Sequence, residues 1–435
     1  MVPIRELEVE TLTSSETRRR LHPSMRLAAH LLLAAFFAAS AGNVIRAQAP
    51  DSIRAADGQA TFDPASGRAP RRLPVLSSSV GLCTDPLPGV AAPNAPHGLF
   101  ALLDTQAAVV NKYILNQPEI CGASMYVIWS AVDKGGGQYD WSSVDQEMAP
   151  WTAAGKKVNL IVWAVSDSVP NTATPAYVLD DPNYQFVTCQ WKGSTTPDPV
   201  YYVDPFKSYY KTFIQAVLNR YGANPNIAYI RFGLSKGGEA SPSCLNEMMS
   251  YSGFSNITQF DPQWESYVAE MTEFQKSVLA GIQTPSGQPM QLMAALNPFG
   301  VAVQYSVCDF EAKNAASLGF GFGSQGYSQA DIASYQSGQP CMADWCAMFK
   351  QYVGQVPLEL QTQQPGDPTN AAGGTGSMAV LLPFALSMRT QIFEVAIQDL
   401  EVAYDPASQY YAQYGKAYQQ AYQQVAETVG YGSKP

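Results

Sequence analysis

Two glutamates, Glu239 and Glu359, each stand where a strand-like run gives way to a loop rich in Gly, Ser or Gln. The first closes Ile227-Ala-Tyr-Ile-Arg-Phe-Gly-Leu-Ser-Lys-Gly-Gly-Glu239, and the second lies in Val356-Pro-Leu-Glu359-Leu-Gln-Thr-Gln. A carboxylate at the C-terminal end of a buried strand is poorly solvated and is held on a rigid element where loops converge. Two of them at one mouth suit acid–base and nucleophilic work on a glycosidic bond. Each also has a plainer role open to it. Glu359 in an apolar strand fits a structural ion pair, with Arg231 as the partner that shares the inward parity of its own strand. Glu239 fits a solvated loop, although the two glycines before it let the backbone turn sharply and carry the carboxyl over a barrel mouth.

These residues need a fold that brings them together. From Pro74 onward, β-branched or aromatic runs alternate with longer amphipathic runs, the pattern of a parallel sheet with helical crossovers. The strands are expected near Val75–Leu82, Ser124–Trp129, Val158–Val165, Ala228–Leu234, Gln291–Leu296, Gly319–Gly323, Pro357–Gln361 and Gln391–Val395. The helices are expected over His97–Leu115, Ser142–Ala154, Pro205–Tyr221, Gln263–Ile282, Phe310–Ser317, Met342–Val353, Ser377–Met388 and Ser408–Val429. Eight such units predict a (β/α)8 TIM barrel with enlarged loops on its C-terminal face. A doubly wound sheet is the alternative, but the Gly-rich stretch Gly319-Phe-Gly-Phe-Gly323 reads better as a strand with small inward positions than as a phosphate-binding turn, so a dinucleotide is not expected. In the seventh strand Leu358 and Leu360 share one parity and Glu359 and Gln361 the other, which turns the glutamate inward.

At this point the chain resembles the clan A glycoside hydrolases, nearest in flavour to families 42 and 35. Tyr139-Asp-Trp-Ser-Ser-Val-Asp145 and Ala154-Gly-Lys-Lys-Val-Asn-Leu-Ile-Val-Trp163 look like that clan's second helix and third strand, and the likeness in layout spans about Val75 to Gly430. The resemblance implies a retaining enzyme in which Glu239 after the fourth strand is the acid/base and Glu359 on the seventh is the nucleophile. It implies that Tyr327, past the sixth strand, hydrogen-bonds Glu359 and keeps it ionised. It also marks a departure: most members place Asn before the acid/base, against the sugar 2-hydroxyl, and this chain has Gly238 there.

Trp129 and Trp163 end strands and Trp191 lies in a long loop, so their flat faces are candidate sugar platforms, with core packing as the alternative for each. Asn297 closes the fifth strand, and Glu394 on the eighth competes with Glu359 for the nucleophile role. The expected substrate is an oligo- or polysaccharide.

Composition narrows the remaining classes. A net charge of -10 with 26 Lys and Arg leaves no basic stripe for a nucleic-acid backbone. Arg26 followed by the apolar run Leu27–Ala41 reads as a signal peptide, too short for a membrane span, with 42–72 as a flexible linker and 73–435 as the catalytic barrel. A secreted or periplasmic location follows, and the seven cysteines, all after the signal, fit an oxidising compartment. Cys189 with Cys244 is the first pairing to test. After the signal the sole histidine is His97 and there is no Cys-x-x-Cys, so neither a zinc site nor another cofactor is expected. No plausible histidine base is present to activate a serine, which disfavours a serine hydrolase. Asp180-Asp181-Pro is expected to be a turn rather than a calcium site. The chain therefore reads as a secreted retaining glycoside hydrolase, with a catalytically silent glycan-binding barrel as the alternative.

Overall fold

The structure, a computed structural model, describes residues 96–103, 111–166, 171–191, 194–296, 305–337, 349–362, 368–369 and 375–430. All of these belong to the compact unit Val75–Pro435. The expected signal segment, linker and first strand at Val75–Leu82 lie outside the described residues, as does Asn297.

The barrel strands are β1 (Gly98–Leu102), β2 (Ile120–Ile128), β5 (Lys157–Trp163), β8 (Ile227–Phe232), β9 (Gln291–Leu296), β10 (Gly321–Tyr327), β11 (Leu358–Thr362) and β12 (Ile392–Ala396). They close in the order β1-β12-β11-β10-β9-β8-β5-β2, every neighbouring pair parallel. Two hairpins, β3–β4 (Asp133–Gly135, Gln138–Tyr139) and β6–β7 (Phe186–Trp191, Ser194–Pro199), are inserted in the loops after β2 and β5. The described helices are α1 (Lys112–Leu115), α2 (Trp129–Val132), α3 (Ser142–Ala153), α4 (Ala176–Leu179), α5 (Phe206–Tyr221), α6 (Leu245–Tyr251), α7 (Ile257–Ala280), α8 (Tyr305–Ser317), α9 (Gln329–Gln336), α10 (Met378–Ser387), α11 (Ile397–Tyr404) and α12 (Tyr411–Val425). None of the helices is long and apolar enough to cross a membrane.

The TIM barrel expected from the alternation is present, with one reassignment. Its first strand is Gly98–Leu102, inside the stretch expected to be helical over His97–Leu115. Gly-Leu-Phe-Ala-Leu is a five-residue apolar run buried at every position, and such a run carries no period that separates a buried strand from a buried helix. Where periodicity exists, the assignment follows it: α5 buries Phe206, Tyr210, Phe213, Ile214, Val217, Leu218 and Tyr221 along one stripe against the sheet.

Strand alternation sorts the side chains into two cores. Leu358, Leu360, Phe393, Val395, Val158, Leu160 and Val162 join the large outer cluster under the helices. Phe100, Cys121, Tyr229, Met293 and Ile392 form a small inner cluster within the barrel. The cysteines of β6 and of the residue capping α6 are joined, Cys189 to Cys244, with their Cα atoms 5.7 Å apart. Asp181 caps a local turn, accepting from the Asn183 amide at 2.8 Å and from the Tyr209 hydroxyl at 2.8 Å.

Candidate active site

Above the inner apolar cluster the barrel interior turns polar. Arg231, the inward residue of β8, reaches across and donates from Nη1 to both Glu359 oxygens at 2.7 and 2.6 Å. Its Nη2 donates to Gln361 and lies 3.3 Å from Glu394 Oε2, while the Tyr229 hydroxyl donates to Glu394 Oε1. Arg231, Glu359 and Glu394 are wholly buried. Backbone register explains the grouping, since Glu359 stands beside Ile392 and Gln361 beside Glu394 on adjacent strands. Room for the Glu359 carboxyl comes from Gly323 on β10, where a Cβ would lie 2.5 Å from Glu359 Oε2.

One guanidinium faces two carboxyls here, so a neutral cluster keeps one proton on the carboxyl pair. Burial raises the Glu359 pKa against the pull of Arg231, and the neighbouring Glu394 adds to the rise. Burial also works against the Arg231 charge, but its pairing with Glu359 and Glu394 outweighs that and keeps the guanidinium protonated. Tyr229 is pushed well above the usual phenol range, chiefly by burial and then by Glu394, and stays a hydrogen-bond donor.

Glu239 comes from the loop that leaves β8, and the local chain is clamped from several sides. The Glu239 carbonyl accepts from the Leu234 and Ser235 amides, each at 2.8 Å, and the Ala240 amide donates to Ala295 of β9 at 3.0 Å. Gly233 and Gly238 pack so closely that a Cβ on Gly233 would sit 2.3 Å from Gly238 Cα. Gly238 has φ of 81°, and a Cβ there would meet Trp163 Nε1 at 2.4 Å. The volume that the clan's usual Asn side chain would need is thus filled by the Trp163 indole. Lys236, also in this loop, is buried against Asp198 of β7 at 2.6 Å, which ties the loop to the hairpin held by the disulfide. Cys189, Asp198 and Cys244 cluster in space, but the two sulfurs are bonded to each other and are not thiolate ligands.

A side chain absent from the sequence reading reaches the loop that carries Glu239. Gln325 lies two residues beyond Gly323 on β10 and donates to the Gly238 carbonyl at 3.4 Å. Glu239 itself is half-buried.

The aromatic candidates separate. Trp163, on the inward parity of β5, is half-buried at the mouth and lies 4.7 Å from the Tyr126 ring of β2, a partner that sequence reading missed. Trp129 is wholly buried outside the barrel, stacked on Phe213 at 5.6 Å and donating to Asp133, so it is a core residue and not a platform. Trp191 ends β6 on the hairpin. Tyr327 does not face Glu359: the β10 register shifts between Ser324 and Tyr327, which turns the ring outward to stack on Phe384 at 6.1 Å with its hydroxyl 3.5 Å from the Leu381 carbonyl. Arg231, expected at the substrate, is instead buried within the carboxyl cluster.

No family model and no curated sequence matches the chain. Solved structures do. The catalytic domain of β-amylase from Paenibacillus polymyxa aligns with a TM-score of 0.52 at 9% identity, over 74% of this chain and 98% of its own. The β-galactosidase from the psychrophilic Marinomonas ef1 gives 0.52 at 12% identity, over 76% of this chain and 59% of its own. The cold-adapted β-galactosidase from Rahnella sp. R3 gives 0.51 at 11% identity, over 79% of this chain and 58% of its own. The chain thus spans less than two thirds of the two galactosidases, and at these identities the likeness is one of barrel fold.

Proposed function

We propose that the chain is a retaining glycoside hydrolase acting at the C-terminal mouth of the barrel. The observation that carries this is the placement of Glu359, turned into the barrel and gripped by Arg231, with Glu239 presented by the loop that leaves β8. The Glu239 carboxyl gives its proton to the glycosidic oxygen as the Glu359 carboxylate attacks the anomeric carbon and the carbon–oxygen bond to the leaving sugar breaks. Glu239, now a carboxylate, takes a proton from water, whose oxygen displaces Glu359 and restores both groups. Attack requires the ionised form of Glu359, so the Arg231 contacts that oppose the rise in its pKa bear on how readily it becomes the nucleophile. Trp163 and Tyr126 at the mouth offer an aromatic wall for a sugar ring.

A catalytically silent glycan-binding barrel is the alternative, favoured by the complete burial of Glu359 under its two bonds from Arg231. Substitution of the acid/base separates the two. Glu239→Gln should slow hydrolysis of glycosides with poor leaving groups by about 100-fold or more and spare activated aryl glycosides, because strong protonation is needed only for the former. Equal losses on both substrate types would remove Glu239 from the acid/base role. A wild-type protein that binds glycans yet turns over none would establish the silent barrel.

A further inference from the structure

The loop that carries Glu239 rests on a carboxyl that the proposed chemistry does not use. Glu311 projects from α8 into the layer between helices and strands, where it is buried beside Phe232, Leu234, Met293 and Phe320. Its Oε1 accepts from Trp264 Nε1 at 3.2 Å, and the same indole N–H is shared with the Ala240 carbonyl at 3.1 Å. Its Oε2 lies 3.4 Å from the Ser241 hydroxyl. Ala240 and Ser241 immediately follow Glu239, so Glu311 braces the far side of the turn whose near side is fixed by Leu234, Ser235 and Ala295.

We propose that Glu311 is a positioning residue for Glu239, holding the Ala240–Ser241 turn through Trp264 and Ser241 while its carboxyl is protonated and releasing the turn when it ionises. This rests on the acid/base role proposed for Glu239. In the protonated form Oε1 accepts from Trp264 and the Oε2 hydroxyl donates to Ser241, which satisfies the buried carboxyl without a charge. Among the described residues, the ionisable groups that act on it are Glu239 from the loop and Glu265 from α7, both acidic, while the other named neighbours are apolar or neutral. Burial, with those two acids adding to it, raises the Glu311 pKa to about 8, although the Trp264 and Ser241 bonds pull the other way. Proton loss near that pH places a bare carboxylate in an apolar layer directly behind Glu239.

Glu311→Gln retains the shape and both contacts, since the amide oxygen accepts from Trp264 and the amide N–H donates to Ser241, and it cannot ionise. The variant should match wild-type kcat at pH 6, and at pH 9, where both lose the general acid, the wild type should fall about tenfold further than the variant. Glu311→Ala should lose kcat at every pH with a smaller change in KM. A readout independent of turnover is amide hydrogen exchange across 234–243. Compared at the same pH, wild type and Glu311→Gln should exchange alike at pH 6, and the wild type should exchange about tenfold faster at pH 9. Stability follows the same proton: the folded pKa lies above the unfolded 4.5, so stability is constant below 4.5, falls up to about pH 8 and then levels. Glu311→Gln should remove that part of the decline. Unchanged exchange and an unchanged pH profile in Glu311→Gln would overturn the proposal, as would loss of protection in Glu311→Gln at pH 6. If the exchange pattern appears but no glycoside is turned over, the brace stands and the assigned chemistry falls.

Discussion

Arg231 brings one positive charge to a place where two carboxyls already meet, and the whole interior of the barrel depends on that arrangement. Glu359 takes both of its contacts from one guanidinium nitrogen, and Glu394 shares the other nitrogen with Gln361. Removing one partner of a buried ion pair typically costs about 3–5 kcal/mol, because the remaining charge has lost its counter-charge but cannot regain water. Arg231→Met should therefore destabilise the protein by about that amount at pH 8 and by clearly less at pH 4. The sign follows from the raised Glu359 pKa: without Arg231 the buried Glu359 must fold protonated, which costs little once the unfolded chain is also protonated and more as pH rises above that range. Urea unfolding at the two pH values checks it, and an equal loss at both would mean that the carboxyls do not depend on Arg231. Turnover should fall too, since a protonated Glu359 cannot attack carbon.

At the scale of elements, the β8 loop is built for close approach. Gly233 lies on Gly238, Gly238 on Trp163, and Lys236 on Asp198. Gly238→Asn, which would introduce the residue that the resemblance to clan A glycoside hydrolases leads one to expect there, should for this reason destabilise the loop. Its Cβ meets the indole at 2.4 Å, an overlap of the kind that costs about 1–3 kcal/mol. Pairing it with Trp163→Ala should recover most of that stability, measured as a melting temperature within a few degrees of Trp163→Ala alone. Failure to recover would place the strain in the backbone at φ of 81° instead of in the indole contact. What could be read from sequence follows the same physics. Inward parity at Glu359 was legible because Leu358 and Leu360 frame it with period two. Tyr327 was misplaced because a register shift in β10 reverses its face, and such irregularities leave no mark in hydrophobic pattern. Gln325 and Glu311 were invisible for a different reason: their partners, Gly238 and Ser241, are distant in sequence, and only the closed fold brings them together.

For the molecule as a whole, the fold answers to the sequence more fully than the chemistry does. Eight parallel strands close in chain order, the first displaced from the expected segment to Gly98–Leu102 because five apolar residues suit either a strand or a buried helix turn. The Cys189–Cys244 bond and the Lys236–Asp198 pair join the β6–β7 hairpin to the Glu239 loop, so the mouth is a connected structure instead of a set of free loops. A net charge of -10 and a mouth lined by Trp163 and Tyr126 match a neutral, ring-bearing ligand better than a phosphate backbone. The chemistry proposed for this mouth is cleavage of glycosidic bonds through a covalent intermediate on β11. Incubation with a panel of 2-fluoro glycosyl inactivators, followed by peptide mapping, tests it most directly. Stoichiometric labelling of Glu359 by at least one sugar is expected, with none in Glu359→Ala, whereas an adduct on Glu394, or turnover without any adduct and with inverted anomeric configuration, would rule out that intermediate.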